Sequence, residues 1–273
     1  MSDAALEAVL RRDRAVVAAA LFVMVAIAWA YVLWLAADME MGGMDMQEFR
    51  MIPAGRSLMM PVTAPWQPIE FAFVFAMWAV MMLGMMTPSA APMILIYARV
   101  GRKAARERKP FAPTSWFAGG YLLAWIGFAL AATFAQWAVE RSGWLTPSMA
   151  ATSAIFSGVV LVAAGFYQWT PIKDVCLRQC QAPLQFIQRH GGFCADAAGS
   201  LTLGARHGAY CIGCCWVLMA LLFVGGVMNV LWIALITIFV LLEKVVPAGR
   251  VISRVAGTGF LAAGVWLIAR SLW

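Results

Sequence analysis

Charge is scarce in this chain. Asp, Glu, Lys and Arg make up 12% of its 273 residues, His occurs twice, and Asn occurs once, at position 229. A soluble domain needs a polar shell around its core, so the scarcity excludes one. No GxxxxGK[ST] phosphate loop is present, which excludes a self-powered ATPase pump, and no Ser, His, Asp order suggests a hydrolase. The acidic residues near the apolar runs, Glu70 and Glu243, lie at their edges, and Gln136 and Asn229 are the amides near membrane depth. A carboxylate proton relay therefore lacks its residues.

Hydrophobic residues fill the space that charge leaves: 63% of the chain, with 13 Trp, 16 Phe and a mean hydropathy of +0.81. A helix of about 20 apolar residues spans the hydrocarbon core of a bilayer. Runs of that kind fall at about 15–36, 69–97, 116–139 and 150–169. The stretch 208–243 is too long for one helix and is broken at Gly225 and Gly226, so it reads as two short spans, 208–224 and 226–243. A last run, 254–273, carries Gly257, Gly259 and Gly264, small residues that let membrane helices approach closely. The expected fold is an all-α polytopic membrane protein, a single domain over 1–273 with seven transmembrane helices and the lipid bilayer as its solvent. The first run follows an arginine cluster but is longer than the apolar region of a secretory signal, so it reads as a retained anchor.

The net charge of +7 would suggest nucleic acid in a soluble protein, but here the basic residues sit in short loops between apolar runs, and no nucleic acid is expected. With seven spans and a cytoplasmic N-terminus, sixteen of the 20 Lys and Arg fall on the cytoplasmic side, among them Arg99 to Lys109, Lys173, Arg178 and Lys244. Arg50, Arg56, Arg141 and Arg270 fall outside. That asymmetry orients the chain, C-terminus outward, in a bacterial inner membrane.

Cysteine use is the sharpest chemical feature. Cys176 and Cys180 form a CxxxC, Cys194 follows, and Cys211, Cys214 and Cys215 stand in Cys-Ile-Gly-Cys-Cys-Trp216. On a helix the last three share one face at i, i+3 and i+4. A lone buried cysteine is ordinarily small apolar filler. Six within forty residues, on the reducing side of the membrane, favour metal thiolate ligation over filler or disulfides. The expected ligands are Cys211, Cys214 and Cys215, closed over by Cys176 and Cys180 from the preceding loop, with Met219 a turn further on. Cys194, in a Gly-rich turn, is expected to stand apart.

Eighteen Met accompany the six Cys, against His190 and His207, which read as surface residues of the inner loop. Thiolate and thioether together favour Cu(I), with zinc an alternative that gains little from methionine. Met39, Met41, Met44 and Met46 crowd an acidic outer loop, with Met44 and Met46 the expected collecting ligands. Met77, Met81 and Met85 recur at i+4 in the second run, and Met81 and Met85 are expected on the ion's path, although Met also fills gaps between helices. Pro88 and Pro92 free carbonyls that neighbours must satisfy.

Three blocks carry a family resemblance: Met77 to Pro92; Tyr167-Gln-Trp-Thr-Pro-Ile-Lys173 running into Cys176, Cys180 and Pro183; and Gly208 to Met219 continuing through Met228, Asn229, Glu243 and Lys244. In these the chain resembles a bacterial family of predicted metal-binding integral membrane proteins, defined by a domain of unknown function. Gln181 stands where that family pattern has Arg. The resemblance implies a membrane metal site and no particular reaction. The expectation is a non-enzymatic membrane protein that binds, transports or delivers a soft metal ion, working alone or with a membrane partner subunit. A membrane thiol-disulfide oxidoreductase and an assembly subunit stapled by a structural metal remain as alternatives.

Overall fold

The computed structural model describes residues 3–41, 49–54, 59–61, 63–146 and 149–273. Among them the chain forms α1 (Asp3–Met41), β1 (Phe49–Met51), β2 (Met59–Pro61), α2 (Pro68–Arg106), α3 (Thr114–Arg141), α4 (Ala154–Gln168), α5 (Pro171–Gln181), α6 (Pro183–Arg189), α7 (Ala197–Ala220), α8 (Leu222–Gly225), α9 (Val230–Val245) and α10 (Gly249–Leu272). The all-α expectation holds apart from one antiparallel hairpin, in which Arg50 pairs with Met60.

Each apolar run is helical, but the runs are not equally long. Ala15–Met39, α2, α3, Ala197–Gly225 and α10 are each long and apolar enough to cross a membrane. A sixth candidate is α4 with α5, a pair bent by 65°. The bend follows from sequence: Pro171 disfavours helical backbone at Thr170, so α4 stops and α5 restarts in a new direction with the Thr170 side chain as its cap. α9 has 16 residues, about 24 Å of helix at 1.5 Å per residue, short of a full crossing.

The boundaries around α7 differ most from expectation. The helix begins at Ala197 rather than near 208, because the Asp196 carboxylate accepts from Gly199 N at 2.7 Å and caps it there. It ends before the expected break, where Gly226 adopts φ +94°. Asn229 then caps α9 by accepting from Trp232 N at 3.1 Å, so this amide has a structural task. Gln136 likewise accepts from Trp78 Nε1 at 2.7 Å and donates to Glu140.

Two helix pairs pack backbone to backbone. A Cβ at Gly120 of α3 would stand 1.9 Å from Leu201 O, and one at Gly204 of α7 would stand 2.0 Å from Phe117 O. In the second pair Gly158 and Gly165 of α4 meet Gly264 and Gly257 of α10. Gly259, grouped with these two in the sequence, has nothing within 4 Å of its Cβ position. α2 lies against α1, α3 and α9, and its Met77, Met81, Met82, Met85 and Met86 are all within the core. It runs through Pro88 and Pro92 without a break; Leu83 O takes the Thr87 hydroxyl, and Met86 O takes Ser89 and Tyr121.

Candidate metal site

Five helices converge on the thiols. α7 supplies Cys211, Cys214 and Cys215, all buried and on one face, as their spacing requires. The CxxxC is helical rather than a loop: α5 carries Cys176 and then Cys180, in the last turn before Pro183. Gly213 permits this approach, since a Cβ there would lie 2.8 Å from Cys176 Sγ. Tyr167 reinforces the seam by donating to Gly213 O. α2 contributes Met86 and Ser89, α3 contributes Tyr121, and α9 contributes Lys244.

Cys180 and Cys176 do different things. Cys180 comes within hydrogen-bonding reach of both Cys211 and Cys214, so it closes the cluster. Cys176 lies over the Gly213 backbone and stays partly exposed. Within α7 the Cys214 and Cys215 thiols point to Cys211 O, at 3.0 and 2.9 Å. These bonds turn the two sulfurs toward the backbone, and among the described residues no group of three or more His, Cys, Asp or Glu stands ready around a metal position.

Three neighbours surround Cys211. Lys244 Nζ donates to its sulfur at 2.8 Å, and Tyr121 Oη lies 3.2 Å away. The same hydroxyl donates to Met86 O at 2.9 Å, and Met86 Sδ lies 3.9 Å from Cys215 Sγ. All six cysteines are free thiols. Cys194 is separate, in the turn beside Asp196 and Gly199.

The structure redistributes several expected roles. Met81, Met85 and Met219 are sealed in the apolar core, and the thioether that meets a cysteine is that of Met86. Met44 and Met46 lie outside the described residues. His207, expected at the surface, is 3% exposed on α7 between Phe117, Tyr121 and Phe186, with Nδ1 unpartnered. His190 packs on Phe186. Lys173 and Lys244, counted in the sequence as loop charges, are buried, Lys173 against Glu243 near the end of α9 and Lys244 against Cys211 within α7. Gln181, at the position of the family's Arg, donates to Glu243 O at 2.8 Å and so fastens α5 to the end of α9.

The sequence pattern of one known family, PpoB2, described as a copper chaperone, matches residues 75–267. The chain belongs to that family. The match covers more than half the chain and includes every residue of the thiol site, from Met86 to Lys244. No curated protein and no solved structure matches. Membership associates this PpoB2 chain with copper.

Proposed function

We propose that this chain is a multi-pass membrane protein that takes up copper as Cu(I), holds it between α5 and α7, and delivers it to a partner. Cys180, Cys211 and Cys214 are the holding ligands, with Cys215 and Met86 adjoining. The observation that carries this is the closure of Cys180 over Cys211 and Cys214, three thiols from two helices with a thioether beside them. Cu(I) accepts two or three soft ligands, and nothing in this donor set favours a harder ion.

The membrane reading rests on five helices long and apolar enough to cross, the bent α4 and α5 pair, and the short α9 between them. Taking α9 as a short seventh crossing is part of this reading, and on it the excess of Lys and Arg favours a cytoplasmic thiol end in a bacterial inner membrane. A thiol site there loads and unloads without a disulfide step, which suits carriage rather than catalysis. At the opposite end of α2 and α3, a cavity of about 750 Å³ is lined by Met51, Trp66, Glu70, Glu140 and Met149. It serves as the side from which the ion arrives.

The test is copper stoichiometry of the full-length chain purified in detergent under reducing conditions. C180S, C211S and C214S should each lose most of the bound Cu(I), C176S should lose less, and C194S should keep the wild-type amount. Stoichiometric copper in a C180S/C214S double variant overturns the assignment.

A further inference from the structure

The chain has two histidines, and the fold sets both against one ring. Phe186 of α6 has its ring centre 5.1 Å from that of His207 and 4.4 Å from that of His190, the residue that ends α6. His207 stands one turn before Cys211 on α7, and side chains on a helix lean toward its N-terminus, so Cys211 leans toward the turn that carries His207. Tyr121 joins the two: its ring centre is 5.8 Å from that of His207, and its hydroxyl lies 3.2 Å from Cys211 Sγ. Phe117 and Phe186 give the imidazole apolar walls, and its Nδ1, sealed from solvent, has no hydrogen-bond partner. A buried polar nitrogen left unpaired is costly, so the position makes sense where a partner arrives. His190 is half-buried and donates Nδ1–H to Phe186 O at 2.8 Å, which leaves the lone pair of the neutral ring on Nε2.

We infer that the two histidines are the outlet of the thiol site: Cu(I) leaves Cys211 for His207 Nδ1, passes Phe186 to His190 Nε2, and is taken there by the soft ligands of the receiving partner. The inference rests on the copper reading given above and adds the route of release. Neutral imidazole nitrogen is a ligand that copper accepts. Each step is a ligand exchange, in which one bond to copper breaks as a Cu–N bond forms. Copper stays Cu(I), no electron moves, and the vacated sulfur takes back from water the proton it released on loading. A single neutral nitrogen holds the ion more weakly than several thiolates, which suits a station the ion passes rather than one where it rests. Phe186, fully buried against both imidazoles, is the side chain that the ion must pass.

Met is close to Leu in size and adds a soft sulfur, so the two substitutions together separate a donor from a packed ring. Full-length protein in detergent is loaded with Cu(I), its bound copper is measured, and unloading is timed after mixing with an excess of a chromophoric Cu(I) chelator. H207L and H190L are expected to hold as much Cu(I) as the wild type and to release it roughly tenfold more slowly. H207M and H190M should release it at close to the wild-type rate, because the thioether replaces the imidazole as a station. Should the buried H207L fail to fold, H190L and H190M, at the half-buried position, carry the test. Wild-type release rates in the Leu variants, or Met variants as slow as the Leu variants, overturn the inference alone. Loss of bound copper from folded H207L also overturns it, since His207 would then be a holding ligand. A wild-type chain that binds no Cu(I) overturns the reading of the site and this inference with it.

Discussion

Lys173 Nζ lies 2.9 Å from each carboxylate oxygen of Glu243, with both side chains sealed from solvent. The pair is the centre of a polar knot. Ser253 of α10 donates to Glu243 at 2.6 Å, Gln168 at the end of α4 donates to it at 3.3 Å, and Lys173 also donates to the Gln168 side-chain oxygen Oε1. Four helices thus meet at one carboxylate, and one of them, α5, carries Cys176 and Cys180. The knot sits one residue from Lys244, so the element that closes the thiol site and the element that supplies its ammonium are fastened together.

Breaking that knot from one side leaves the other side's charge buried. E243Q and K173M should each destabilise the chain by about 3–5 kcal/mol, the usual cost of stranding one partner of a buried pair. The K173M/E243L double variant should be less destabilised than the sum of its singles, because it strands nothing. Thermal unfolding in detergent measures all three. Simple additivity would mean that the pair is not coupled.

The helical frame was largely legible in the sequence, because apolar length is a local property. Runs 69–97 and 116–139 became the centres of α2 and α3, and the last run became α10. What local reading missed was polarity inside a helix: Arg206 and His207 interrupt the apolar pattern, so α7 read as starting at 208 when Asp196 caps it earlier. For the site, the shared face of Cys211, Cys214 and Cys215 followed from spacing alone. Which cysteine of the CxxxC would face them did not follow, because that depends on the rotation of α5 about its axis, fixed by Pro171, Gly213 and the Lys173 contact. Lys244, Tyr121 and Met86 were illegible as a set, since they come from three separate helices and only folding brings them to Cys211 and Cys215.

Met86 gives a direct check on that long-range geometry. Its thioether lies 3.9 Å from Cys215 Sγ, whereas Met81, Met85 and Met219 are packed in the core. M86L conserves volume and removes the sulfur, so the cost in stability should stay under about 1.5 kcal/mol. Cu(I) affinity, read by chelator competition, should fall by roughly three- to tenfold, about 1 kcal/mol in the usual conversion, and Zn(II) affinity should not change. M81L, M85L and M219L should leave both metals as in the wild type. A loss with M81L or M85L equal to that with M86L would restore the ladder of methionines along α2 that their i+4 spacing suggested.

The last prediction concerns Cys194, which stands outside the cluster and reports on electrostatics and orientation together. Burial, and then the Asp196 carboxylate, push its thiol above the ordinary thiol range, while Arg206 pulls weakly the other way. The thiolate is the reacting form, so at neutral pH a smaller fraction of Cys194 is reactive than of a free cysteine. Its modification by a charged maleimide should be slow near pH 7 and accelerate as pH rises through the raised range. D196N removes the carboxylate's charge while keeping a side-chain oxygen to cap α7, so it should speed labelling at neutral pH without melting the helix. Peptide mass mapping of the native chain reads the rate at this residue. In intact cells the same impermeant reagent should leave Cys194 untouched until the membrane is opened, because the Lys and Arg asymmetry directs its turn inward. A D196N rate no faster than the parent's refutes the electrostatic account, and labelling in intact cells reverses the orientation of the thiol site.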